Sequence, residues 1–289
     1  MRFIREFVVI GLSVVGVIFS ACSGEEVVEE NKETDQEETI EEYSWKEDAF
    51  TDIIDTSGLE GCILVLDENN RTYYTNNREW SEKGWLPAST FKIPNSMIAL
   101  ELGTLESDTS VIKWDGEDRR LDIWEQDLTL RDAFQYSCLP CYQDLSRRAG
   151  MNKMREMVDK LGYPGMVFDG TDFDKFWVEG KSSISCFEQI QFLKNYQQGK
   201  LPISERTDTI FRKVFVVEET DEYTYFGKTG WSVQGEVDNG WYVGMVERSE
   251  GAYFFATNVC PLEDYDMKNF PRDRVEITLS ALNELEILN

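Results

Sequence analysis

The chain has 289 residues, enough to bury a sizeable core, with 55 acidic against 29 basic residues and a formal net charge of −26. Broad contact with a polyanion needs positive surface that is scarce here, so nucleic acid is not an expected partner. There is no histidine. That absence removes Ser-His-Asp and Cys-His nucleophilic sites, histidine-bearing zinc sites and imidazole as a general base near neutral pH. Acid–base work is left to lysine, tyrosine or carboxylates, and no metal site is expected.

The first residues, MRFIREFVVIGLSVVGVIFSAC, place Arg2 and Arg5 before an apolar run from Phe7 to Phe19, then small residues up to Cys22. This pattern predicts a secretion signal over residues 1–21, too short and too soon followed by acidic sequence to be a permanent span. Phe19-Ser20-Ala21-Cys22 resembles a bacterial lipobox, which implies cleavage before Cys22 and a lipid on its new N-terminus. The expectation is an exported protein anchored by that lipid at a bacterial membrane, facing the periplasm or the cell surface. A plainly secreted form, or a cysteine closing an apolar helix, are the other readings. Glu25 to Asp48 then carries 12 acidic side chains and only Lys32 and Lys46. Its charges repel and it has little apolar area to bury, so residues 22–42 read as an extended tether and residues 43–289 as the folded domain.

WKEDAFTDIIDTSG predicts a short amphipathic helix presenting Phe50, Ile53 and Ile54, with Gly58 beyond its end. An apolar run from Cys62 to Leu66, a turn at Asp67 to Asn70 and β-formers from Thr72 to Thr75 predict strand, turn, strand. The middle is helical. Thr129 to Asp132 and Ser185 to Glu188 are capping-box patterns, and a helical stretch lies between Gly150 and Gly162. From Tyr223, YTYFGKTG, WYVGMVER and AYFFATNV predict strands, the last two joined by a turn at Ser249 to Gly251, before a closing helix near Arg272 to Leu285. The order predicts an α+β unit in which the two chain ends share an antiparallel sheet beside a helical lobe.

LPASTFKIPNSMIAL, Leu86 to Leu100, carries the first chemical signal. Ser89 follows Pro87 at a helix start, where free N–H groups and the dipole favour an anion, and Lys92 lies three residues on, on the same face. Phe91, Ile93, Met97, Ile98 and Leu100 make its neighbourhood apolar, which penalises the ammonium and moves the pKa toward the neutral amine. A neutral amine can take a proton from an adjacent hydroxyl. The bland alternative is a capping Ser89 with Lys92 reaching out to water. Lys228-Thr229-Gly230 supplies a lysine cation, a hydroxyl and a glycine that allows close backbone approach. S-x-x-K with K-T-G is the pairing found in penicillin-recognising serine enzymes.

PASTFKIPNS (Pro87 to Ser96), KWDG (Lys113 to Gly116), WEQDLTLRDAFQYS (Trp124 to Ser137), DKFWVEG (Asp174 to Gly180) and YFGKTGWS (Tyr225 to Ser232) together resemble the class D β-lactamases, in order and spacing, from about Trp45 to Leu288. The resemblance implies a β-lactamase/transpeptidase-like fold and a hydrolase acting on a β-lactam substrate. It implies Ser89 as acylated nucleophile and Lys92 as a base carrying a carbamate made from carbon dioxide or bicarbonate, with no other cofactor. By the same resemblance Ser137 relays a proton near the leaving nitrogen, and Trp177 donates its indole N–H to the carbamate. Lys228, Thr229, Gly230 and Arg274 hold the substrate carboxylate, with Arg272 as rival for the arginine. The backbone N–H groups of Ser89 and Trp231 form the oxyanion hole. Ser137 capping the next helix, Trp177 as a core aromatic and an arginine merely opening the last helix are the structural alternatives.

The chain departs from the family pattern at Leu139, usually valine, whose larger side chain bears on how water or carbon dioxide reaches Lys92. It departs again at Tyr163-Pro164-Gly165, often Tyr-Gly-Asn, where proline removes a donor and a rearranged loop is expected. Cys138-Leu-Pro-Cys141 lacks the surroundings of a redox fold; a structural disulfide is possible outside the cytoplasm, though two cysteines three apart in a continuous helix are poorly directed for one. Cys62, Cys186 and Cys260 are expected to pack as small apolar groups. Competing functions are a non-hydrolytic β-lactam sensor domain, which normally follows a multi-pass membrane region not seen before Tyr43, a cell-wall D,D-peptidase or transpeptidase, and an inactive lipoprotein.

Overall fold

A computed structural model describes residues 43–169 and 173–288. The signal at 1–21, Cys22 and the tether to 42 lie outside the described residues. The chain enters as β1 (Ser44–Lys46), α1 (Thr51–Asp55), β2 (Leu59–Asp67), β3 (Thr72–Thr75) and α2 (Arg78–Glu82). A 3-10 turn over Ala88–Phe91 runs directly into α3 (Lys92–Glu101). A short ribbon, β4 (Val111–Ile112) with β5 (Leu128–Thr129), leads to α4 (Leu130–Gln135), α5 (Leu139–Ala149), α6 (Met151–Leu161), α7 (Cys186–Gln197) and α8 (Glu205–Phe215). The strands β6 (Val216–Glu219), β7 (Tyr223–Gln234), β8 (Val237–Arg248) and β9 (Gly251–Pro261) follow, and α9 (Phe270–Glu284) ends the fold.

The main sheet runs β1-β3-β2-β9-β8-β7-β6, so β2 from the chain's start docks antiparallel on β9 near its end, from Leu59 opposite Pro261 to Asp67 opposite Tyr253. The uninterrupted apolar run of β2 is what a strand covered on both faces requires. Successive side chains alternate sides: Cys62, Leu64 and Leu66 join the core under the helical block, while Ile63 and Val65 join the core against α1 and α9. Each such fully buried aliphatic contributes about 1.5–3 kcal/mol, which is why the pairing of distant segments holds.

Two details differ from the sequence reading. The first helix is confined to Thr51–Asp55 because Phe50 takes a left-handed conformation (φ 65°), and the residues ahead of it form β1 instead. β1 pairs parallel with β3, so the sheet is antiparallel except at that edge, where Trp45 stacks on Tyr73 at 4.4 Å. Elsewhere the punctuation is as expected. Ser185 and Glu188 form a reciprocal capping box on α7, Thr129 caps α4, and Gly162 ends α6 in the left-handed region.

One mismatch of strand lengths matters for chemistry. β6 pairs with β7 only as far as Phe226, whereas β7 continues to Gln234 along β8. The edge of β7 from Gly227 onward therefore lacks a strand partner on that side among the described residues, and the 3-10 turn bearing Ser89 packs against it.

Candidate active site

Ala88 occupies the left-handed region (φ 49°), an uncommon state for a residue with a Cβ, and its N–H is fixed by a 2.7 Å bond to the Trp177 carbonyl. Thr90 Oγ1 donates to Pro87 O at 2.6 Å and accepts from Gln189 Nε2 at 2.8 Å. These bonds hold Ser89 on a tight turn, and the helix that follows begins at Lys92. The Lys92 side chain is fully buried, with Nζ 2.8 Å from Ser89 Oγ and 5.1 Å from the centre of the Tyr142 ring. Burial lowers its pKa from 10.5 to about 7, because the ammonium loses hydration in this setting. Near neutral pH a substantial fraction is therefore free amine, able to accept the Ser89 hydroxyl proton. The reading of Lys92 as a lysine reaching out to water is overturned.

Trp177 is fully buried and stacks at 5.3 Å on Phe91, the residue preceding Lys92 in sequence, while its backbone holds Ala88. Its indole Nε1 is a buried donor with no hydrogen-bond partner among the described residues. Such a donor costs about 1–3 kcal/mol if left unmet. An anionic oxygen on Lys92 is an acceptor of the right chemistry for it, so the residues present fit a carbamate there.

Ser137 sits in the left-handed region (φ 53°), directly before α5, and its Oγ accepts a 3.0 Å bond from Lys228 Nζ. It is not the helix cap; Cys138 is. Lys228 is buried, lies 5.4 Å from the centre of the Phe134 ring, and also donates to Thr229 O at 3.0 Å. Its pKa is well below the ordinary lysine value through desolvation, then through repulsion from Lys92 and Arg274. Gly230 is where β7 meets the nucleophile turn. A Cβ there would lie 3.2 Å from Pro87 O and 3.2 Å from Thr90 Cγ2, closer than ordinary contact. Trp231 follows on the open edge of β7, its indole Nε1 donating to Asp238 Oδ1 at 2.6 Å.

The two candidate arginines separate cleanly. Arg274, on α9, is 7% exposed and donates from Nη1 to Gly230 O at 2.5 Å, which aims it at the K-T-G strand. Burial lowers its pKa to about 10, leaving it a cation at neutral pH. Arg272 is solvent-facing and paired with Asp273 and Glu276. The structure thus brings together Ser89, Lys92, Ser137, Trp177, Lys228, Thr229, Gly230, Trp231 and Arg274, and leaves Arg272 out.

Several supporting residues escaped sequence reasoning. Tyr142 shares a 2.6 Å hydrogen bond with Ser96, whose Oγ donates to Lys92 O at 2.7 Å; the i,i+4 spacing of Lys92 and Ser96 was the available signal. Tyr163, which had no assigned role, is buried between Phe91 and Phe192, with its hydroxyl 3.4 Å from Gln189. Gly165 turns the chain beneath it at φ 73°, where a Cβ would fall 1.8 Å from Ser183 O. Of the two states open to the cysteine pair, Cys138 and Cys141 take the disulfide, with Cα atoms 5.4 Å apart. Its physical reason is that Cys138 stands outside the helix at its N-cap (ψ 102°), so the two residues do not share a continuous helix. Cys62, Cys186 and Cys260 are buried free thiols, as expected.

Comparison with known proteins adds an independent line. The penicillin-binding protein transpeptidase domain family matches residues 15–268. The β-lactamase OXA-48 of Klebsiella pneumoniae is 38% identical over 200 residues, spanning 69% of this chain and 75% of its own. A class D β-lactamase from Sebaldella termitidis superposes with a TM-score of 0.80 at 33% identity, covering 86% of this chain and 100% of the other. The C-terminal domain of the Bacillus licheniformis BlaR penicillin-receptor gives 0.78 at 26% identity, over 86% and 98%.

The buried lysine has a measurable consequence. Between about pH 7 and 10.5 Lys92 binds fewer protons folded than unfolded, so folding gains stability as pH rises through that window and has none of this gain below it. Lys228 shifts in the same direction. In carbon dioxide-free buffer the stability of the wild type relative to K92L is expected to climb from pH 7 toward pH 10 in denaturant titrations. A difference that stays flat with pH would refute the neutral-amine assignment.

Proposed function

The chain belongs to the class D β-lactamases, and we propose that it hydrolyses the β-lactam amide of penicillins by acylating Ser89 with Lys92 as the base. The observation that carries this reading is the 2.8 Å contact between Ser89 and a fully buried lysine with a pKa of about 7, in a chain without histidine.

Lys228, Thr229 and Arg274 bind the substrate carboxylate, and a carboxylate set between both cations relieves their mutual repulsion. The lactam carbonyl then lies toward the backbone N–H groups of Ser89 and Trp231, which stabilise the developing oxyanion. Ser89 Oγ bonds to the carbonyl carbon as its proton passes to Lys92. Ser137 relays a proton to the lactam nitrogen as the C–N bond breaks, leaving an acyl-Ser89 ester. Water cleaves that ester, regenerates the hydroxyl and releases the opened acid. Lys92 would hold carbon dioxide as a carbamate, which would supply an oxygen base for the attacking water, and Trp177 Nε1 would donate to it. No other cofactor is called for. The exported, lipid-anchored form at Cys22 completes the proposal, supported by Arg2, Arg5, the apolar run and Ala21-Cys22.

The purified domain is expected to turn over benzylpenicillin many times per molecule and to show a transient acyl adduct in mass spectrometry that S89A lacks. With ¹³C-bicarbonate, a lysine carbamate resonance absent from K92A should track activity across pH. A stable adduct with one turnover would favour a penicillin-receptor mode of action, and full turnover with no carbamate signal would remove the carbamate while leaving the serine chemistry.

Truncating Arg274 separates it from its neighbour. R274A is expected to lose about 2–5 kcal/mol in penicillin kcat/KM, the usual cost of removing one partner of a buried charged pair, and R272A to remain near wild type. The reverse ranking would move the role to Arg272.

For the anchor, cells expressing the full chain should incorporate a clickable fatty acid into the wild type and not into C22A. Equal labelling would rule out Cys22 as the lipidation site.

A further inference from the structure

The Cys138–Cys141 disulfide begins one residue after Ser137 and ends one residue before Tyr142. Those two flanking residues face the two active-site lysines. Ser137 Oγ accepts from Lys228 Nζ at 3.0 Å, and the Tyr142 ring lies 5.1 Å from Lys92 Nζ while its hydroxyl is tied to Ser96 at 2.6 Å. The covalent ring Cys138-Leu139-Pro140-Cys141 therefore spans the link between the two halves of the catalytic constellation.

On its N-terminal side this turn is tied back to α4, by Ser137 N to Phe134 O at 3.1 Å and Cys138 N to Ala133 O at 2.8 Å; the weak side is the start of α5. Ser137 is in the left-handed region (φ 53°), which costs a non-glycine residue free energy. The first α5 bond, Tyr142 N to Cys138 O, is long at 3.4 Å. The N-cap acceptor is a Cys138 sulfur, 3.2 Å from Cys141 N, where Ser, Thr, Asp or Asn would normally provide a stronger oxygen acceptor. A covalent bond across that turn reinforces this weak cap. Cys138, Pro140 and Cys141 line a small cleft of about 60 Å³ with Trp114, Trp124 and Arg147, and both cysteines are buried.

We propose that the Cys138–Cys141 disulfide is a positioning clamp that holds Ser137 in register with Lys228 and Tyr142 against Lys92, so that opening it slows the chemical steps more than it weakens substrate binding. This rests on the proposed acyl-serine reaction. The disulfide touches neither substrate nor reacting atoms; it acts through Ser137 and Tyr142.

The test compares oxidised and reduced wild type with a C138V/C141V double variant. Dithiothreitol delivers two electrons and two protons to the bond, yielding two cysteine thiols and its own cyclic disulfide, and alkylation with mass spectrometry counts the two added thiols. Reduction is expected to lower benzylpenicillin kcat at least about tenfold, as misplacing a proton-transfer group does, with KM changed less than about threefold. Reoxidation should restore the rate, and the double variant should be slow and indifferent to reductant. Equal kcat in all three forms, even with a lower melting temperature, would make the bond merely structural and overturn the clamp. If the native bond resists dithiothreitol, the double variant decides alone; if that variant misfolds, the reduced wild type decides. Oxidised wild type that never forms the acyl adduct would bring down the proposed reaction and the clamp with it, whereas an active enzyme indifferent to redox state removes only the clamp.

Discussion

Everything in the site depends on keeping water away from one amine. Desolvation by burial lowers the Lys92 pKa to about 7. No tuned pair of charges is needed for that shift, only burial: Lys92 lies in a segment whose Phe91, Met97 and Ile98 are also buried, and the Tyr142 ring is 5.1 Å from its Nζ. This makes the base a property of the core. A cavity or a buried polar change near α3 would alter catalysis by rehydrating the lysine, even without touching the cleft.

The fold converts that constraint into geometry through unequal lengths and local strain. Because β6 pairs with β7 no further than Phe226, β7 from Gly227 to Gln234 lacks a strand on that side among the described residues, and the nucleophile turn packs against it. Two residues with side chains, Ala88 and Ser137, are held in the left-handed region beside the nucleophile and at the relay position. Each such conformation costs on the order of 1–3 kcal/mol, and it persists because neighbours over-determine it. At Ala88 these are Trp177 and the close approach of Gly230 to Pro87 O; at Ser137 they are Lys228 and the cross-linked turn that follows.

Much of this was legible in the sequence, for physical reasons that differ by element. β2 read clearly because both faces bury side chains, and α7 because Ser185 and Glu188 form a complete capping box. Ser89 and Lys92 stood out because a charged residue in an apolar run carries an evident cost. Tyr142, Ser96 and Gln189 did not, since a buried polar group shows in sequence only as a polar letter and its partner is set by tertiary packing, 46 residues away for Ser96 and Tyr142 and 99 for Thr90 and Gln189. β1 was missed because a three-residue edge strand has no periodicity to read. The disulfide is not decidable from sequence, because one residue at a helix boundary determines whether two cysteines three apart face each other.

The charge balance takes on a different meaning once the site is in place. A net charge of −26 repels an anionic substrate at long range, but in salt that repulsion fades over a Debye length of about 8–10 Å. Lys92, Lys228 and Arg274 are buried, and each has a pKa lowered first by desolvation. The charged forms of Lys228 and Arg274 repel each other there, a cost that an arriving anion offsets. Exposed lysines would attract such an anion weakly, since water already solvates them. The same burial that turns Lys92 into a base therefore makes Lys228 and Arg274 selective for a substrate that brings its own carboxylate, and the acidic surface leaves that selectivity to the site.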